Sequence, residues 1–354
     1  VKPKNKNKRK KDVLYCTNSI DNNNDNNTVL EYEWISKDIN NIGDLIDLCS
    51  KLKRRRKKKR YNLNYNKLKR LEPVLIELNN MIGLSDIKNI IFEEIIYQLQ
   101  DFNDNNSEMH HTAIYGPPGV GKTKLANILA KIYNALGFLK RNKVVSVKRC
   151  DLIAGYLGQT SLKAKKKFDE ALGGVLLIDE AYSLGDGNNN DSYAKEVIDL
   201  LTSYLSEHSN EIVCIIAGYK EALERNFFAQ NEGLSRRFTH RYCIDGYSGE
   251  ELKLIFIVFV NDCGWKIDSD CDIKLTDFFT FNKDCFENYA GDIQTLFNNC
   301  KKTHSKRMMN IKEEETLLKS KKTLNLQDIQ NALNLKKKMI INHEDKTKIN
   351  QMYT

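Results

Sequence analysis

With 354 residues and 41% hydrophobic side chains, the chain can build one or two domains of ordinary size around a sizeable core. Lys and Arg outnumber Asp and Glu by 56 to 47, but much of the excess lies in KPKNKNKRKK (2–11) and KLKRRRKKKR (51–60), leaving the remainder close to neutral. Nine cysteines without a CxxC pair or zinc-type Cys/His spacing argue against a secreted disulfide framework, and no run approaches the length of a membrane span.

These bounds predict a soluble intracellular protein with reduced, core-type cysteines and no membrane contact, cytoplasmic unless the basic runs direct it to the nucleus. Residues 1–70 combine those runs with DNNNDNN (21–27), a composition that buries little and predicts a basic, Asn-rich, largely disordered region. Within it, the stretch 29–49 has enough apolar residues for a strand and a short helix. The run at 51–60 reads either as a solvated charged face or as a nuclear-targeting or nucleic-acid contact, with Tyr61 and Tyr65 the few aromatics beside it.

From about residue 71 helical and strand signals alternate. TAIY (112–115), KVVSVK (143–148), GVLLID (174–179) and EIVCIIAG (211–218) are short apolar runs rich in β-branched residues. They are separated by helix-period stretches such as 122–136 and 193–208, which predicts an α/β fold with a parallel sheet sandwiched by helices. After residue 248 four helix-like segments follow, so the expected layout is an α/β domain at 71–247, a small all-α domain at 248–340 and a tail at 341–354.

The stretch AIYGPPGVGKTKL holds two of the four prolines in the chain. Gly116, Pro117, Pro118, Gly119, Val120, Gly121, Lys122 and Thr123 fit G-x-x-x-x-G-K-[ST] between an apolar strand and an amphipathic helix, the context that a phosphate-binding loop requires. Glycines let backbone N–H groups curl around a β-phosphate at a helix N-terminus. Lys122 supplies charge to the β- and γ-phosphates of ATP, and Thr123 offers a hydroxyl to Mg²⁺. The prolines fix φ and donate no N–H, which stiffens the loop before any ligand arrives. About sixty residues on, VLLIDEAY ends an apolar strand in Asp179 and Glu180. Acids at such a strand end emerge beside the nucleotide crevice, Asp179 to hold the metal and Glu180 to polarise water.

Together NNMIGLSDIKNII, GPPGVGKT, DLIAGYLGQTSLKAKKKFDEALGGVLLIDEAYSL, EVIDLLTSYLSEHSNEIVCIIAGYKEAL and NEGLSRRFTHR resemble the CbbX/CfxQ branch (SpoVK-like) of the AAA+ ATPases, over roughly residues 75–305. The resemblance implies a P-loop ATPase domain followed by a helical lid, and a ring-forming, usually hexameric, ATP-driven remodeller. Ile82 and Gly83 match the segment around adenine. Arg236 and Arg237 lie where such proteins place the arginine finger; Arg237 keeps the position before Phe238, and which of the two acts is open. Tyr156 matches the aromatic of the first pore loop, which grips an extended polypeptide, whereas the lysines from Lys163 to Lys167 read most simply as a solvated helix face.

Two positions depart from the wider pattern. After the fourth strand Gly218 and Tyr219 stand where a polar sensor is common, and Gly291, beside Asp292, stands where the branch often carries an arginine. Three functions are compatible with the residues: a protein remodeller pulling an unidentified client with Tyr156, a nucleic-acid-associated ATPase using the basic N-terminus, and a small-molecule kinase that needs neither assembly nor Arg237.

Overall fold

The structure, a computed structural model, describes residues 32–33, 35, 38–53, 60–100, 109–156, 158–185, 192–310 and 321–338. The basic run at 2–11, the Asn-rich tract, most of the run at 51–60 and the tail at 341–354 lie outside the described residues. Among the described residues no helix is long and apolar enough to cross a membrane.

Five strands form one sheet: β1 (Thr112–Tyr115), β2 (Val144–Val147), β3 (Val175–Asp179), β4 (Val213–Gly218) and β5 (His240–Cys243). Their spatial order is β2-β3-β4-β1-β5, and every pair is parallel. Parallel neighbours need crossovers, and the intervening helices cover both faces. Because side chains alternate across a strand, adjacent residues feed different cores. Val175, Leu177, Val213 and Ile215 face a core with the helices Ile42–Lys53, Tyr65–Asn79, Ser85–Leu99 and Lys122–Leu136. Leu176, Ile178, Cys214 and Ile216 face the helices Thr160–Ala171 and Ser192–Glu207.

Four of the strands and the helices between them fall where periodicity predicts. The fifth, β5, was not predicted: of His240, Arg241, Tyr242 and Cys243 only Tyr242 is buried, so the edge strand carries no apolar run. The packed unit also begins before residue 71. The short helix expected within 29–49 is present as Ile42–Lys53, but Leu45, Leu48, Cys49 and Leu52 of it and Leu68 of the next helix are at most 5% exposed, so this part of the span expected to be largely disordered is packed.

The helices Gly249–Asp262, Asp272–Phe281, Ala290–Met308 and 326–338 follow the sheet. The first opens on a capping box in which Ser248 Oγ accepts from Glu251 N and Glu251 Oε2 accepts from Ser248 N. Phe256, Phe279, Phe286 and Phe297 fill this helical part, which also contains a two-residue parallel pairing of Lys266–Ile267 with Thr323–Leu324. Cys49, Cys214, Cys271 and Cys300 are buried thiols outside any disulfide, whereas Cys150, Cys243 and Cys263 are exposed.

Candidate functional site

In the order β2-β3-β4-β1-β5, the C-terminal ends of β1, β4 and β3 lie side by side, and ligands of open α/β sheets bind outside that edge. The loop from Gly116 to Thr123 leaves β1 there. Gly121 caps the helix Lys122–Leu136 at φ 90° and brings no side chain to the cap, so the helix presents its first N–H groups to the cleft. Lys122 Nζ donates to the carbonyls of Gly116 (2.9 Å) and Pro117 (2.7 Å), folding the lysine back along the loop. Burial lowers its pKa, while Asp179 and Glu180 act in the opposite direction. Val120 anchors the loop with its buried side chain, and its carbonyl accepts from Tyr247 Oη at 2.8 Å.

At the end of β3, Asp179 Oδ2 accepts from Thr123 Oγ1 at 3.4 Å and Oδ1 accepts from Glu180 N at 3.1 Å. Glu180 is exposed and held at φ 53°, ψ 42°, a left-handed conformation that costs a residue with a Cβ roughly 1–2 kcal/mol. The pocket enclosed by these groups measures about 380 Å³ and is lined by Pro118, Gly119, Gly121, Lys122, Thr123, Asp179, Glu180, Tyr182, Gly218 and Tyr219. Tyr219, just after β4, lines the same pocket, its ring centroid 5.4 Å from Lys122 Nζ and 5.5 Å from the ring of Tyr182.

Ile82 and Gly83 lie in the turn before the helix Ser85–Leu99. Two consecutive left-handed residues, Gly83 (φ 68°) and Leu84 (φ 62°), make that turn. It stands beside the phosphate loop: Met81 Cε and Tyr247 Oη come within 3.7 and 3.9 Å of a Cβ placed on Gly121. A second cavity of about 200 Å³ opens here between residues 84–87 and 243–247.

The helical part closes on the loop from the other side. Ala290 N donates to Gly119 O at 3.3 Å, and a Cβ on Gly119 would lie 2.0 Å from Asn288 O and 3.4 Å from Gly291 N. Gly291 is therefore against the loop but offers it no side chain. Asp292 is engaged elsewhere, Oδ1 with Lys336 Nζ at 2.9 Å and Oδ2 with Asn288 N at 2.8 Å. The sequence marked neither Tyr182 and Tyr247 nor the turn at 288–290 as part of the site. Their only signals are an aromatic shortly after the paired acids and a residue just ahead of a helix cap.

Arg236, Arg237 and Tyr156 do not line this pocket. Arg237 is tied within its own chain, Nη1 to Gly233 O at 2.5 Å and Nε to Ser206 Oγ at 2.9 Å. Arg236 is exposed and has no hydrogen bond or ion pair among the described residues. Tyr156 is 75% exposed, beside Gly155 and two residues before Gly158. Lys163, from the next helix, donates to the carbonyls of Cys150 (2.6 Å) and Ile153 (2.8 Å).

The profile of the ATPase family associated with various cellular activities (AAA) matches residues 112–245, the span from β1 through β5. A CfxQ-like protein of Acanthamoeba polyphaga mimivirus is 42% identical over 290 residues, covering 82% of this chain and 70% of that protein. A CfxQ homologue of Galdieria sulphuraria is 37% identical, covering 56% of this chain and 67% of its own length. The chromosomal CbxX protein of Cupriavidus necator is 32% identical over 56% of this chain and 63% of that protein. Among solved structures, the AAA domain of FIGL-1 superposes with a TM-score of 0.52 at 15% identity, over 73% of this chain and 82% of that one, which speaks to fold alone. With the phosphate loop, the strand-end acids, the parallel sheet and the helical lid in place, and relatives of this similarity, the chain belongs to the CbbX/CfxQ branch of the AAA+ ATPases.

Proposed function

We propose that this chain hydrolyses ATP with Mg²⁺, assembles into a ring, and uses the cycle to remodel a protein client. The observation that carries the ATPase reading is the convergence of Lys122, Thr123, Asp179 and Glu180 on one pocket below an uncapped helix N-terminus. The Thr123 hydroxyl and the Asp179 carboxylate are hard oxygen donors already 3.4 Å apart, a set that suits Mg²⁺. Bound there, the ion would neutralise charge on the β- and γ-phosphates.

Lys122 exchanges its two loop carbonyls for phosphate oxygens, and the loop N–H groups hold the β-phosphate. Glu180, strained and exposed, orients and deprotonates the attacking water. Arg236 supports a role in trans better than Arg237 does, because it is exposed and has no hydrogen bond or ion pair among the described residues. Such an arginine would complete the neighbouring site and make turnover depend on assembly. The lid turn at 288–291 rests on Gly119, so a change at the phosphates reaches the lid helices directly. Tyr156, on an exposed glycine-flanked loop, offers apolar area to an extended polypeptide.

The test uses Glu180→Gln, which is expected to bind ATP without turning it over. With ATP present, the variant is expected to retain a polypeptide client through affinity capture, and unfolded polypeptide is expected to stimulate the unmodified ATPase. Stimulation by DNA or RNA in place of polypeptide would replace the remodeller with a nucleic-acid-linked ATPase.

A further inference from the structure

At the opposite edge of the sheet from the phosphate loop, where β1 and β5 begin, three side chains from distant parts of the chain converge. One ligand atom each of Glu94, His110 and His240 lies within 4.8 Å of the other two. Glu94 comes from the helix Ser85–Leu99, His110 from the lead into β1, and His240 is the first residue of β5. We propose that these three residues form a binding site for a divalent transition-metal ion, with Zn²⁺ the best match and water completing the coordination.

The donor set selects the ion. Two imidazoles and a carboxylate suit Zn²⁺ and its first-row neighbours, whereas Mg²⁺ and Ca²⁺ prefer all-oxygen shells. Bonds of about 2.1 Å place ligand atoms roughly 3.4 Å apart around a tetrahedral ion, so side-chain shifts of about 1 Å would close the cluster.

The scaffold holds the donors for this purpose. The β1–β5 pairing sets Thr112 opposite His240, and His240 N donates to His111 O at 3.4 Å. Thr239 Oγ1 donates to Met109 O at 2.6 Å, and Thr112 Oγ1 to His110 O at 3.0 Å, so both histidine-bearing segments are bonded through their immediate neighbours. Phe138 stacks on the His110 ring with centroids 3.9 Å apart, and the His110 and His240 rings are nearly parallel, 12° between planes. Buried Gln98 donates to Glu94 Oε1 at 3.2 Å, the kind of outer partner that orients a ligating carboxylate. His111 is excluded from the set, since its Nδ1 accepts from Cys214 N on the neighbouring strand.

An ion here would clasp the edge strand to the helix that follows the Ile82–Gly83 turn. That strand begins three residues after Arg237, so the clasp would steady the segment carrying both arginines. The site is separate from the nucleotide pocket and does not depend on ATP chemistry.

The test takes the full chain without a histidine tag, stripped with chelator and held in saturating Mg²⁺ so that the hard-oxygen site is occupied. Zn²⁺ titration by calorimetry is expected to give one ion per chain and to raise Tm. Co²⁺ is expected to give visible bands of a low-coordinate nitrogen and oxygen site. His240→Gln and Glu94→Gln, each checked for native circular dichroism, are expected to weaken Zn²⁺ binding at least about tenfold, the order seen when coordination shells are disturbed. No stoichiometric binding, equal affinity in both variants, or a thiolate-to-Co²⁺ charge-transfer band marking a cysteine site would overturn the proposal.

Discussion

Lys122 and Glu180 line the same pocket in different surroundings, and the proposed ATPase cycle uses them at different stages. Lys122 is half-buried and donates to two loop carbonyls, partners that phosphate oxygens would take over in the proposed cycle. Removing it takes a charge-assisted contact from the bound ground state, worth about 1.5–3 kcal/mol, or roughly 10- to 100-fold in affinity. Lys122→Ala is therefore expected to lower ATP affinity by that range. Among the described residues the Glu180 side chain makes no such bond, and a general base of the kind proposed typically supplies about 10² to 10⁴ in rate. Glu180→Gln is expected to keep ATP affinity within a few-fold while kcat falls by at least about 10². Binding of a fluorescent ATP analogue, measured beside steady-state turnover, separates the two; equal affinity losses would contradict the roles. These residues are legible in sequence because glycines, a lysine and paired acids at strand ends have few other reasons to occur in that order. Tyr219 is legible only as a departure, and its place in the pocket follows from β4 lying between β1 and β3.

At the scale of elements, what could be read depended on whether the signal was local. The strands at 112–115, 175–179 and 213–218 are buried on both faces and declare themselves as apolar runs. The edge strand β5 does not, having one buried side chain among four. The helix Ile42–Lys53 falls on the 29–49 stretch read as a strand and a short helix, but its stripe of Leu45, Leu48, Cys49 and Leu52 did not show that it packs into the main core. The contact of Asn288 with Gly119 spans about 170 residues of sequence and has no local signature. It makes a specific expectation possible. Gly119 (φ 73°) and Gly158 (φ 80°) both sit in the left-handed region, so alanine at either costs roughly 1–2 kcal/mol in backbone strain. Only Gly119→Ala also drives a methyl group into a backbone carbonyl, 2.0 Å from Asn288 O, whereas Gly158 has nothing within 4 Å. Gly119→Ala is thus expected to lower Tm by several degrees and ATP affinity about tenfold or more, since the lid must lift off the loop. Gly158→Ala is expected to leave ATP affinity unchanged. Equal ATP affinities in the two variants would mean that the lid turn does not brace the loop.

For the whole molecule, the decisive asymmetry is between the two adjacent arginines. Arg237 holds its own subunit together through Ser206 and Gly233, so Arg237→Ala is expected to lower Tm. Arg236 makes no bond among the described residues, so, if it acts on the neighbouring site as proposed, Arg236→Ala is expected to leave Tm and ATP binding unchanged while turnover collapses. If its guanidinium serves the neighbouring subunit, activity can be restored by mixing two inactive proteins. Lys122→Ala subunits keep intact arginines and Arg236→Ala subunits keep intact phosphate loops, so some interfaces in a mixed ring contain one of each. Arginine fingers contribute about 10³ to 10⁵ in rate in related phosphoryl-transfer systems, so even a minority of repaired interfaces should rise far above the residual rates. Mass photometry on differently sized fusions establishes that mixed assemblies have formed before the rates are compared. Mixed rings whose activity is only the sum of the two residual rates would remove Arg236 from the neighbouring site. The same mixing with Arg237→Ala, corrected for its stability, would then decide whether Arg237 releases Ser206 and reaches across instead.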